Sequence, residues 1–187
     1  MKTNFAIALI MLGCCSAFGQ GTLLLQNLGP GVNAPVFGFP PDCVKLSGER
    51  YKAQLVAGTS ASSLSPVATT SFSSLPSAAG YFLGGMVTLP GIPAEARPFL
   101  QVQIWDSATG ATYAEATLKG ASVVFQLGAP LGNPDATPPT PPPALVGIVA
   151  ISLCIPEPSI AALAVVGVLI FLLWPTRQRG ASRILQD

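Results

Sequence analysis

The chain contains no histidine. That removes Ser-His-Asp triads, Cys-His dyads and His-ligated metals from consideration. Between its two apolar ends, the groups left for acid–base chemistry are the carboxylates Asp42, Glu49, Glu95, Asp106, Glu115 and Asp135. Asp106 and Glu115 flank one turn, and carboxylates about 5–10 Å apart can hydrolyse glycosides. Asp at the first position of a turn is, however, ordinary turn chemistry. The body therefore reads as non-enzymatic, with no catalytic residue and no cofactor. No dense Asp/Asn loop is present to hold calcium. Trp105, Tyr113 and Tyr81 carry rings that could stack on a sugar, and Trp105 with Tyr113 is the candidate ligand face. As alternating strand residues beside Gln, they read better as core or half-buried side chains.

Four cysteines occur, and Cys14 and Cys15 lie near the N-terminus. Cys43 and Cys154 remain, so only one pairing is open to them. An exported chain meets an oxidising compartment. Closing a loop of this length stabilises by about 4–5 kcal/mol on the loop-closure argument. Two independent thiols are the alternative.

Composition narrows the classes further. Of 187 residues, 50% are hydrophobic and 9% are charged, with a formal net charge of +1. Ordinary soluble domains carry about 25% charged residues. No excess of Lys and Arg is available to neutralise phosphates, so a nucleic-acid partner is not expected. The apolar content excludes a charged disordered chain.

The hydrophobicity concentrates at the ends. Lys2 precedes the apolar run Phe5 to Leu12, and small residues follow from Gly13 to Ala17. Residues 1–19 thus read as a signal peptide, cut between Gly19 and Gln20 after Ala17-Phe18-Gly19. A lipoprotein reading would use Cys14, but Leu12 stands one place from where a lipobox needs it. At the other end, Ile160 to Trp174 is fifteen residues without a polar side chain. As a helix it would be about 22 Å long, shorter than the roughly 30 Å hydrocarbon core. It spans with local thinning or help from its flanks. Arg177, Arg179 and Arg183 follow it, and the nearest preceding charge is Glu157. These arginines read as the stop-transfer signal, which leaves the body outside the membrane.

The elements that must position any site lie in residues 20–155. Tyr51 to Val56 and Leu100 to Trp105 alternate with period 2. Tyr81 to Leu89 is a third strand, with a bulge at Gly84-Gly85. Ser122 to Leu127 and Leu23 to Gln26 are shorter candidates. Asp106 to Gly110 makes a turn between Trp105 and Tyr113. Helical periodicity is absent, so the expected fold is all-β, an antiparallel β-sandwich. Residues 57–80 hold Ser or Thr at eleven positions and read as a long surface connection with one edge strand near Val67 to Phe72. The Pro-rich tract 134–143 holds six prolines and is expected in polyproline II. It would cross the body and lead into a last strand, Leu145 to Leu153.

Pro156-Glu157-Pro158-Ser159, a spanning helix and an Arg cluster close a signal-bearing chain, and this order resembles a PEP-CTERM sorting signal over residues 156–187. The resemblance implies recognition of Pro156, Glu157 and Pro158 by an exosortase-like membrane protease. It further implies a transient inner-membrane anchor, release to the cell surface or extracellular space, and association with exopolysaccharide and biofilm material. Pro158 can open the helix, and Pro156 keeps the chain before it extended. The tail departs from the pattern, because its arginines are spaced and Ile184 to Asp187 follow them. More loosely, Asn33 to Phe37, Tyr51 to Gly58, Val102 to Asp106, Gly110 to Tyr113 and Leu145 to Gly147 resemble extracytoplasmic modules of Verrucomicrobia-like bacteria. That likeness implies fold and location only. The alternatives are a carbohydrate-binding or carbohydrate-processing surface domain, and a plain single-span membrane protein.

Overall fold

The computed structural model describes residues 19–154. The expected leader, the segment 160–174, the Pro156-Glu157-Pro158 motif and Arg177, Arg179 and Arg183 lie outside them. Among the described residues no helix is long and apolar enough to cross a membrane.

Eleven strands follow one another: β1 (Gln20–Gln26), β2 (Leu28–Gly29), β3 (Val32–Asn33), β4 (Val36–Phe37), β5 (Tyr51–Ser60), β6 (Ser63–Ser71), β7 (Leu83–Pro93), β8 (Phe99–Asp106), β9 (Lys119–Ala121), β10 (Phe125–Gln126) and β11 (Ile151–Ser152). A single 3-10 turn, Pro76–Ala78, is the helical element among them. The largest sheet runs β10-β8-β5-β6, with β9 also paired to β8. A second sheet pairs β1 with β7, and both sheets are antiparallel. β4 and β11 form a short parallel pair.

Alternation decides the faces. Leu100, Val102 and Ile104 of β8 are fully buried, while Gln101 and Gln103 between them are half-buried. Their partners Ala57, Leu55 and Ala53 of β5 point the same way, because residues opposite in register share a face. Leu23 and Leu25 of β1, with Leu89 of β7, join these side chains in one hydrophobic cluster. Phe72 and Phe82 meet edge to face, centroids 5.5 Å apart, where β6 hands the chain to β7. The bulge expected at Gly84-Gly85 is present. Register shifts between Leu24↔Met86 and Gln26↔Leu83, and Gly85 sits at φ 76°, where a Cβ would be strained.

Three expectations are corrected. The edge strand expected near Val67 to Phe72 is present as β6, but it starts at Ser63, and the surface connection over residues 57–80 is shorter than expected because β5 extends to Ser60. An edge strand with one wet face needs no apolar alternation, and Thr favours the extended backbone. The Pro-rich tract 134–143 does not run straight as polyproline II. It turns back on itself, with Asn133 and Thr140 exchanging backbone hydrogen bonds of 3.2 and 3.0 Å. Thr140 Oγ1 also accepts from the Asn133 N–H at 2.6 Å. The expected last strand, Leu145 to Leu153, contracts to β11, because its earlier residues bond singly to different neighbours.

Candidate functional site

Asp106 ends β8 opposite Tyr51, the first residue of β5. That register brings Arg50 against it, and Arg50 Nε donates to Asp106 Oδ1 at 2.6 Å. The second guanidinium nitrogen, Nη2, closes a bidentate ion pair on Oδ2. The Ala108 N–H also donates to Oδ1, at 2.9 Å, and Thr109 Oγ1 donates to the Asp106 carbonyl at 2.8 Å. Asp106 is 1% exposed, yet each carboxylate oxygen has a partner. The Arg50 hydrogen bond holds its carboxyl below the usual carboxylate range; burial opposes this and the Ala108 N–H assists it. Glu115 is exposed on the following loop and makes no pair with Asp106.

Trp105 and Tyr113 are brought together, but not as an open face. Tyr113 lies on the loop after β8, not on a facing strand. The rings meet edge to face at 6.3 Å. Lys119 Nζ stands 5.3 Å from the Tyr113 ring centroid and donates to the Ala114 carbonyl at 2.8 Å. Trp105 is 4% exposed, so its indole is packed away from any sugar, and its Nε1 has no partner. Every aromatic side chain among the described residues is buried or half-buried. Tyr81 spends its hydroxyl on Asn33 Oδ1 at 2.7 Å.

Cys43 and Cys154 are bonded to each other, with Cα atoms 5.4 Å apart. β4 and β11 bring them together: the Ile151 N–H donates to Pro35 O at 3.2 Å and the Leu153 N–H to Phe37 O at 3.0 Å. The bond spans a sequence separation of 111.

Two features went unread in the sequence. Asn27, fully buried after β1, donates Nδ2 to Ala34 O at 2.7 Å and Gly80 O at 2.9 Å. Its Oδ1 accepts from the Phe82 N–H at 2.9 Å. One amide thus satisfies three backbone groups from two distant segments, around Ala34 and Gly80–Phe82, and nothing in its sequence neighbourhood signals that. The other is an open groove of about 910 Å³ lined by Leu24, Pro30, Arg97, Leu131, Pro142 and Val146. Among the described residues, no group of three or more acidic or cysteine side chains could hold a metal.

Comparison with family models, curated proteins and solved structures finds no match.

Proposed function

We propose that this is an exported, non-enzymatic surface or matrix protein of the PEP-CTERM kind, sorted through Pro156-Glu157-Pro158 by an exosortase-like membrane protease. In this reading residues 1–19 are a cleaved leader. Residues 20–155 are a β-sandwich body with the β1–β7 sheet packed against the larger one. Residues 160–174 are a transient inner-membrane anchor, stopped by Arg177, Arg179 and Arg183. Release delivers the body to the cell surface or matrix, where exopolysaccharide is the expected neighbour.

One observation carries the reading. The body closes covalently at Cys154, and a single residue, Ile155, separates that bond from Pro156. A cut at the motif would leave every described contact intact. A disulfide also belongs to the oxidising side of a membrane. The carbohydrate-binding alternative draws little support from a Trp105 that is buried, in a body with no exposed aromatic ring among its described residues.

Intact-mass analysis of protein recovered from the cell surface tests the proposal. A mature species beginning near Gln20 and ending near Pro158 is expected. A mature pool that still ends at Asp187 overturns the sorting reading and leaves the plain single-span alternative.

A further inference from the structure

The last described segment, residues 141–154, behaves as a strap laid across several elements. The Leu24 N–H of β1 donates to Pro143 O at 2.8 Å. Beyond β10, the Gly128 N–H donates to Val146 O at 2.7 Å. Two residues of β11 then pair with β4. Leu153 lies over Gly120 of β9, where a Cβ would stand 2.4 Å from its Cδ2. Ala144, Leu145, Ile148, Ile151 and Leu153 put their side chains into the shared core.

These contacts do not form a ladder. β5 is paired along most of its length on both sides, whereas the strap is held by scattered single bonds and one two-residue pair. Burying one Leu or Ile returns roughly what ordering one or two residues costs. Five apolar anchors, one of them only Ala144, offset the ordering of about five to ten residues and not of all fourteen, so the non-covalent balance alone does not hold the strap. The Cys43–Cys154 bond joins its far end to the segment after β4. Cys43 is held at φ 49°, a left-handed conformation that an L-residue adopts at a cost. Both cysteines are half-buried, within reach of a small thiol.

We propose that the Cys43–Cys154 disulfide is a redox lock on this strap, whose reduction frees residues 144–154 while the five-stranded sheet stays folded. The proposal goes beyond the sorting reading and holds whether or not the chain is cut after Cys154. A dithiol reductant supplies the two electrons. One of its thiolates attacks Cys43 or Cys154 Sγ, the S–S bond breaks and a mixed disulfide forms. The second thiol of the reductant then displaces the protein sulfur. The products are two protein thiols, which take up the two protons, and the oxidised dithiol.

Hydrogen–deuterium exchange of the full chain in detergent, before and after reduction with dithiothreitol and thiol capping, tests this. The hydrogen-bonded amides of Leu145, Val146, Ile148, Ile151 and Leu153, and the Gly128 amide bonded to Val146 O, are expected to exchange at least about tenfold faster after reduction, with β5 and β8 unchanged. Reoxidation of uncapped protein restores protection. A Cys43→Ala/Cys154→Ala variant, where it folds, reproduces the reduced pattern. Unchanged exchange in the strap overturns the proposal, because the strap then holds without the bond. Loss of protection throughout β5 and β8 overturns it too, because the bond then holds the whole fold. Two titratable thiols in the untreated exported protein overturn it as well.

Discussion

Asp106 shows one carboxylate held fast by its neighbours. Arg50 and the Ala108 N–H occupy its oxygens, so it anchors the end of β8 and opens the next turn. Because its folded pKa lies below the ordinary carboxylate value, the native state binds fewer protons than the unfolded chain near that value. The stabilisation is complete above about pH 4 and is lost as pH falls through the lower folded value. Asp106→Asn is therefore expected to flatten the acid side of the stability–pH curve, read as urea midpoints at a series of pH values. Asn27 is the second decisive residue. Asn27→Ala leaves Ala34 O and the Phe82 N–H without partners, while Gly80 O keeps the Val36 N–H. At about 1–3 kcal/mol for each of the two groups, a loss of about 2 kcal/mol or more is expected in urea unfolding. The Asp106 turn was legible in the sequence, because Asp followed by Ser-Ala-Thr-Gly is turn chemistry. Its ion pair was not, since Arg50 is 56 residues away. Asn27 carried no signal at all. A polar residue after an apolar strand is ordinary, and only the arrival of Ala34, Gly80 and Phe82 makes it a core amide.

At the scale of elements, β5 and β8 were plain from alternation, since period-2 burial runs along β8 as far as Ile104 and through Lys52 to Leu55 of β5, and their register is unbroken. The edge strand expected near Val67 to Phe72 is β6, but its start at Ser63 was not legible, because Ser and Thr signal loops as readily as exposed strands. What makes it a strand is the length of β5, which offers it a full edge. Gly58 shows how tightly that pairing closes: a Cβ there would stand 1.9 Å from Ser63 O. Gly58→Ala is expected to disturb the β5–β6 hairpin at a cost of about 1–3 kcal/mol, seen as a lower urea midpoint and faster proteolysis at Ala61-Ser62. The Pro-rich tract was misread for a related reason. Proline favours an extended chain locally, but the paired bonds between Asn133 and Thr140 reverse it. Trp105 and Tyr113, read as buried or half-buried rings with a sugar face as the alternative, are buried and half-buried, and Tyr113 arrives from a loop and packs on Trp105 edge-on instead of lying beside it.

At the scale of the whole molecule, the disulfide ties the segment after β4 to the end of the described chain and encloses most of the body. On the loop-closure argument it opposes global unfolding by about 4–5 kcal/mol. Locally it secures a strap that has few bonds of its own. The sorting proposal and the lock meet at Cys154, the last described residue, which one residue separates from Pro156. By itself the sequence determined that no imidazole is available, the mostly β class and the apolar ends, and it offered Cys43 and Cys154 as one pairing. Those follow from residue counts and short-range periodicity, which need no partner. The tertiary structure decided that Trp105 is core, that Asp106 belongs to Arg50, that Asn27 is a hub and that the last segment is a strap. Each of these depends on which distant segments come to lie together, and register and burial, not local sequence, set that.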